Sequence, residues 1–412
     1  MTQDNIDILV EDLPPAQSHL RIAVVTETYP PEINGVAITL KRVVDGLRSR
    51  GHMVQLVRPR QAGEAPLTQP ADSGDVLMRG MPIPRYPHLQ LGLPSRKQLE
   101  PLWMRKRPDL VHIATEGPLG WSALRVARKL RIPVTSDFRT NFHAYSSHYG
   151  MGWLSKPIMA YLKRFHNQTL TTMVPTRDLA DRLSAAGFQR LQVVARGVDA
   201  GQFDPALRNP SLRALWGAGP DTPVMLCVGR LAKEKSLPLL IRAYAQVRLV
   251  RPDAKLVLVG DGPARAELQA QVPDAIFTGT LSREVLARHY ASADIFGFPS
   301  QTETFGNVVL EAMASGLAVV AFNYAAAAEN IRHGHSGLLA DLDDDESFVQ
   351  HLVKLAQDGP QLQRLRTAAR TAAQNCDWQT IVGQIESVMQ QAIAGHEIEQ
   401  GLGASIAPQQ MA

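Results

Sequence analysis

The chain has 412 residues, 45% apolar and 20% charged, with a formal net charge of +4. That length exceeds one ordinary core and predicts two domains of about 150–200 residues each. Membrane spanning and secretion are disfavoured, because no apolar run approaches ~20 residues and the start carries Asp4, Asp7, Glu11 and Asp12 instead of a signal peptide's cations.

Residues 1–19 are polar, with Pro14-Pro15, and read as a disordered lead-in. Arg21–Thr26 reads as a strand, followed by the turn-rich T-E-T-Y-P-P-E-I-N-G. Val36, Leu40, Val43, Val44 and Leu47 then share one helical face ending near Gly51. Another strand is expected at Met53–Val57. The Pro-, Gly- and Arg-rich 59–95 reads mostly as loop, with one short strand near Val76–Met78. Strand signals return at Leu110–Ile113, Val134–Ser136 and Met173–Val174, separated by helical stretches. Such alternation argues for a parallel sheet covered on both faces.

A second alternating series follows the polar stretch Asp199–Pro223. Strands are expected at Val224–Val228, Lys255–Val259, Ile295–Phe298 and Leu317–Phe322, and a last helix from Trp378. The expected architecture is α/β, with two doubly wound Rossmann-like domains facing a cleft: 20–198, and 199–376. The ligand belongs at the carboxyl ends of the strands in that cleft. Residues 395–412 read as a loose tail. Cys227 and Cys376, without a C-x-x-C, read as buried free thiols of a reducing cytosol.

The most informative stretch is P-S-Q-T-E-T-F-G-N-V-V-L-E, from Pro299 to Glu311. Gly306 and Asn307 open a helix there, and amides at a helix start favour an anion, so Phe305, Gly306, Asn307 and Val308 form a candidate phosphate cradle. Glu303 and Glu311 bracket it, suited to hydroxyl-rich groups attached to that phosphate. In G-R-L-A-K-E-K, Arg230 and Lys235 could reach a diphosphate, Arg as a fork and Lys as a point charge. Asn34-Gly35 lies between the first strand and helix, where a glycine lets backbone approach a phosphate. No G-x-G-x-x-G or G-x-x-x-x-G-K-[ST] is present, which disfavours the dinucleotide and P-loop readings. G-D-G-P at 260–263 reads as a tight turn, and the Asp341–Asp345 run as a helix start needing no metal. Arg139, Asn141, His143, Tyr145, His148 and Tyr149 crowd the cleft-facing end of the first domain.

These stretches resemble the retaining glycosyltransferases of family four, which have the two-domain GT-B fold. T-E-T-Y-P-P-E-I-N-G-V, V-G-R-L-A-K-E-K-S-L-P-L-L-I-R-A-Y, E-T-F-G-N-V-V-L-E and H-G-H-S-G-L-L carry the resemblance, over about residues 20–394. Within the family the likeness is to bacterial GDP-mannose-dependent α-mannosyltransferases and sulfolipid-synthase-like enzymes. The resemblance implies that Arg230 and Lys235 bind the donor diphosphate, Glu311 the ribose and Glu303 the transferred sugar. It places amides from Phe305 to Val308 on phosphate and sugar, Gly35 on the phosphate from the other domain, and Gly279–Leu281 beside the base. It also implies that 377–394 crosses back onto the first domain. Many relatives carry His-Thr where this chain has Arg139-Thr140; either Arg139 or His143 takes the place of that histidine. Four alanines, Ala325–Ala328, replace a Gly-rich pattern before Glu329.

The expectation is a cytoplasmic hexosyltransferase forming an α-glycosidic bond from a nucleoside diphosphate sugar, mannose favoured, to a lipid or glycan acceptor. Neither metal nor cofactor is expected, nor nucleic acid. The alternatives are a soluble-acceptor polysaccharide or disaccharide enzyme and a catalytically silent nucleotide-sugar-binding protein; an NAD-linked oxidoreductase stands third. Residues 1–200 carry a balance of +9 and 201–412 one of −5. Nine Lys and Arg in 58–107 suggest peripheral docking of a glycolipid-forming enzyme on anionic membrane, at the inner face of the plasma membrane.

Overall fold

The structure, a computed structural model, describes residues 19–32, 35–61, 64, 75–83, 86–139, 155–303, 305–399 and 401. The lead-in through residue 18, Asn34, the cluster from Asn141 to Tyr149 with His143, and the tail beyond 401 lie outside the described residues.

The first domain holds β1 (Arg21–Val25), β2 (Met53–Pro59), β3 (Val76–Met78), β6 (Leu110–Ile113), β7 (Val134–Asp137), β8 (Thr171–Val174) and β9 (Leu191–Val193) in one sheet. Its order is β3-β2-β1-β6-β7-β8-β9, with parallel pairing throughout. The stretch expected to be mostly loop also contains an antiparallel hairpin, β4 (Gly80–Ile83) with β5 (Tyr86–Gly92). Prolines at 82, 84 and 87 interrupt the alternation that marks a strand, which concealed it.

The second sheet is also parallel, in the order β12-β11-β10-β13-β14-β15. Its strands are β10 (Val224–Val228), β11 (Lys255–Val259), β12 (Ile276–Gly279), β13 (Ile295–Phe298), β14 (Ala318–Phe322) and β15 (Leu338–Ala340). Successive side chains of a strand point to opposite faces, and here they enter two separate cores. Val224, Leu226 and Val228 pack with Val309, Leu310 and Met313 of the helix Asn307–Ala314. Met225 and Cys227 pack with Leu237, Leu240 and Tyr244 of the helix Leu237–Val250. Both faces are therefore covered, which accounts for the unbroken apolar strands.

The helix Trp378–Glu399 returns to the first domain. Its Ile381, Val382, Ile385, Val388 and Met389 join Ile22, Val24, Val43 and Leu47 in one cluster. A Cβ on Gly46 would lie 2.6 Å from a Val382 methyl, so the helix Gly35–Ser49 presents a glycine where the returning helix crosses it. The chain passes between domains twice, and the two passages touch: Val198 N–H donates to the Cys376 carbonyl at 2.9 Å. Cys227 is buried as expected, but Cys376 is only half-buried, its thiol donating to Asn330 Oδ1 at 3.3 Å.

Candidate active site

In each sheet the strand order reverses once, between β1 and β6 and between β10 and β13. Loops leaving two such strands diverge and open a crevice at their carboxyl ends. The loop after β10 carries Arg230 and Lys235, and the loop after β13 carries Glu303 and leads into the helix with Glu311, so sheet order alone makes them neighbours.

Between those loops, Lys235 forms an ion pair with Glu303, and the buried Ser300 hydroxyl donates to the same carboxylate oxygen at 2.8 Å. Thr302 Oγ1 donates to the Glu234 carbonyl at 2.9 Å, and Tyr324 OH to the Glu303 carbonyl at 3.2 Å. Glu303 is thus fixed by both its side chain and its backbone. Arg230 behaves differently. It pairs with Glu234 at 2.7 Å, but its side chain remains 65% exposed, free to swing onto a ligand. Gly260 explains how the loop after β10 stays tight: at φ +132°, its Cβ would sit 2.0 Å from the Gly229 carbonyl oxygen. The G-D-G segment packs on the backbone of Gly229 and Leu231, and the turn expected at 260–263 falls at its end, Arg265 N–H donating to the Gly262 carbonyl at 3.1 Å.

Gly306 caps the helix Asn307–Ala314 from the left-handed region, φ +93°, and has no side chain to offer its amides. Phe305 is buried, its carbonyl accepting from Ala326 N–H at 2.8 Å. Val308 packs against the core. Asn307 Oδ1 is buried without a hydrogen-bond partner among the described residues. Asn307 and Glu311, one helical turn apart, line a cavity whose opposite wall includes Gly35, Arg42 and Asp199. The Glu311 carboxylate accepts from the buried Tyr290 hydroxyl at 3.1 Å. Burial raises the Glu311 carboxyl above its ordinary range, against the pull of Arg283 and that hydroxyl. The site therefore offers a carboxylate and an unsatisfied amide oxygen, both acceptors suited to a ligand's hydroxyls.

Gly279 ends β12 and accepts from Gly260 N–H at 2.9 Å, while Leu281 packs against the core. Across the cleft, Gly35 opens its helix, and among the described residues nothing lies within 4 Å of where its Cβ would be. Arg139 donates through Nε to Asp137 Oδ2 at 2.8 Å, and His112 Nε2 meets the same oxygen at 3.3 Å. Burial works to raise the Asp137 carboxyl, but Arg139 and His112 outweigh it and hold the group well below the usual range. Arg139 is therefore anchored by Asp137. Three residues of the cleft were not legible in the sequence: Arg283, beside Glu311; Trp378, which closes on Gly197; and Arg196, which lies over Phe305. No motif marks any of them for the cleft, although Trp378 opens the last expected helix.

The cleft architecture matches known proteins. A profile described as Glycosyltransferase Family 4 matches residues 33–202, and one described as Glycosyl transferases group 1 matches 222–358. The GDP-mannose-dependent alpha-mannosyltransferase of Mycolicibacterium smegmatis is 35% identical over 379 residues, 90% of this chain and 98% of that protein. A sulfoquinovosyl transferase of Arabidopsis thaliana is 32% identical, over 75% of this chain and 62% of that one. Among solved structures, the sucrose-phosphate synthase of Thermosynechococcus elongatus superposes with TM-score 0.72 at 18% identity, covering 92% of this chain and all of that one. Anabaena HepE, solved with UDP and glucose, gives TM-score 0.67 at 21% identity, covering 90% and 100%. With two parallel-sheet domains, a reversal point in each and the Glu303–Glu311 turn between them, the chain belongs to the family-four glycosyltransferases of GT-B fold.

Proposed function

We propose that this glycosyltransferase moves a hexose, mannose favoured, from a nucleoside diphosphate sugar to a lipid or glycan acceptor with retention, leaving an α-glycosidic bond. The observation that carries the reading is the cavity shared by Gly35, Asn307 and Glu311, with Lys235 and Glu303 on the adjoining loops. A diphosphate placed at the start of the Asn307 helix meets uncapped amides, Lys235 and the swinging Arg230. The ribose then falls to Glu311 and the sugar to Glu303.

In that arrangement the protein orients the reactants and neutralises the departing diphosphate, terms that act most strongly as charge develops in the transition state. Arg230 and Lys235 supply the cationic charge without a divalent ion. Mannose and guanosine diphosphate are favoured because the M. smegmatis relative is named for that donor. A lipid acceptor is favoured by relatives named alpha-monoglucosyldiacylglycerol synthase in Streptococcus pneumoniae and Acholeplasma laidlawii.

No helix among the described residues is long and apolar enough to cross a membrane. We place the enzyme in the cytoplasm, reaching a lipid acceptor by peripheral docking through the helix Arg96–Arg105. That helix buries Leu99 and Trp103 and exposes Arg96, Lys97, Met104 and Arg105. The basic face is smaller than the sequence suggested, because Arg58 is buried and holds Glu64 through two 2.8 Å bonds.

The test is product analysis with labelled GDP-mannose and UDP-glucose, using diacylglycerol and glycan acceptors, with donor hydrolysis followed in parallel. Transfer with an α product supports the reading. Tight nucleotide-sugar binding without transfer or hydrolysis would favour the silent binding protein instead.

A further inference from the structure

Arg196 belongs to the first passage between domains and lines a cleft cavity with Thr39, Asp137, Arg139 and Trp378. Its guanidinium lies 5.4 Å from the centroid of the Phe305 ring. Among the described residues it makes no ion pair and no side-chain hydrogen bond, although a guanidinium carries five donors. Its neighbours make that unusual. Arg139 is neutralised by Asp137, so the pair adds no net charge. Arg196 is only partly exposed and leaves the cavity one net positive charge, with no direct carboxylate contact of its own among the described residues, a charge that an anionic ligand would complete. Burial and then the like charge of Arg139 pull its guanidinium down to about 10, against the attraction of Asp137.

We propose that Arg196, steadied on Phe305 and backed by Arg139, forms an oxyanion subsite separate from the diphosphate site. It takes one net negative charge, as a carboxylate, sulfonate or phosphate diester, carried by the acceptor or by the transferred sugar. Two observations separate it from the diphosphate cations. Lys235 and Arg230 stand on the loop after β10 with their own carboxylates, Glu303 and Glu234. Arg196 instead faces Asp137 and Arg139 at the end of β7, on the first-domain wall. The guanidinium is suited to this task, since its planar fork matches an oxyanion in two-point contact. The inference rests on the glycosyltransfer reading only for the source of the anion.

The test uses the full chain saturated with GDP or UDP and titrated with sodium sulfate at constant ionic strength, by calorimetry and by tryptophan fluorescence, since Trp378 lines the cavity. Wild type should bind sulfate in the millimolar range. Arg196→Met should lose at least tenfold in sulfate affinity while keeping nucleoside diphosphate affinity within twofold, with Arg196→Lys between. The melting temperature of Arg196→Met should be little changed, because the guanidinium makes no ion pair or side-chain hydrogen bond among the described residues. The source is then found by comparison. A wild-type preference for UDP-glucuronate over UDP-glucose that Arg196→Met abolishes assigns the anion to the sugar. A preference for phosphatidylinositol over diacylglycerol, abolished likewise, assigns it to the acceptor. No sulfate binding by wild type, equal binding by Arg196→Met, or equal loss of sulfate and nucleoside diphosphate would overturn the proposal. Nucleotide binding and sugar transfer, measured separately, report on the donor-site reading independently.

Discussion

Lys235 and Glu303 are joined in an ion pair, although 68 positions separate them in the chain. A diphosphate arriving beside Lys235 therefore shares that cation with a carboxylate already in place. Sharing limits ground-state attraction and leaves the ammonium positioned for charge that develops as the sugar departs. Glu303→Gln, which keeps an acceptor but loses the pairing charge, should lower kcat by about 100-fold. Donor affinity should stay within about twofold, the separation expected for a transition-state contact.

Glu311 should behave in the opposite way. Its carboxylate is held by Tyr290 and lines the cavity with Asn307, so the proposed contact with a ribose would be alike in ground and transition states. Glu311→Gln should weaken donor and free nucleotide about tenfold, roughly 1.4 kcal/mol, with a smaller fall in kcat. Titration of both variants with nucleotide, alongside initial rates, checks the pair. Nucleotide affinity governed by Glu303 would show the roles reversed.

If Arg230 and Lys235 provide the neutralisation that a divalent ion supplies elsewhere, as proposed, transfer should persist in excess chelator. Initial rates with and without EDTA decide it. Complete loss, restored by Mg²⁺ or Mn²⁺, counts against the assignment.

Gly46→Ala would ordinarily favour a helix by about 1 kcal/mol. Here the added Cβ would meet a Val382 methyl at 2.6 Å, and overpacking of that kind costs about 1–3 kcal/mol. Chemical denaturation should show net destabilisation, and adding Val382→Ala should restore part of it. A stabilised Gly46→Ala would mean the closing helix sits more loosely than the packing indicates.

His166 sets a pH dependence. Burial pulls its imidazole down to about 3, among Phe138, Phe165 and Phe188, with Nδ1 on Ser136 Oγ at 3.0 Å and Nε2 without a partner among the described residues. The fold holds the neutral ring, whereas the unfolded chain takes up a proton below its ordinary value of 6.5. Its contribution is intact above pH 6.5 and falls towards pH 3, by up to about 1.4 kcal/mol per pH unit. His166→Phe should flatten that slope in urea melts run between pH 7 and 5. An unchanged slope would place the acid sensitivity elsewhere.

Docking through the helix Arg96–Arg105 predicts sedimentation with anionic vesicles that weakens as salt rises. Replacing Arg96, Lys97 and Arg105 by Glu should reduce it more than tenfold, at about 1 kcal/mol per cation. Equal binding to neutral vesicles rejects the electrostatic account.

Local patterns made the sheets legible. Continuous apolar runs such as Val224–Val228 are required by burial on two faces, and Gly306 beside Asn307 marks a helix start. The Glu303–Glu311 turn is a single short segment, so its spacing in sequence is its spacing in space. Asp344 could be placed as well, and its Oδ1 accepts from Ser347 N–H at 3.0 Å. Arg196 and Arg283 could not, and Trp378, placed correctly as a helix start, could not be placed in the cleft. Each gains its meaning from a partner on a different strand or domain, and an isolated Arg before Gly197 carries no periodicity to betray that. Arg58 failed for the same reason: counted as surface charge, it is spent internally on Glu64.

The paired passages between the domains also have a mechanical consequence. A single covalent strand would let one domain swivel about any axis relative to the other. Here two strands run side by side, bonded from Val198 to Cys376, with Trp378 lodged against Gly197 and Arg42 reaching Asp199 at 2.7 Å. Twist about the line joining the domains is resisted, and the remaining easy freedom is a rotation about an axis through the paired strands. Any opening of the cleft about that axis would keep Gly35 in line with Asn307 and Glu311.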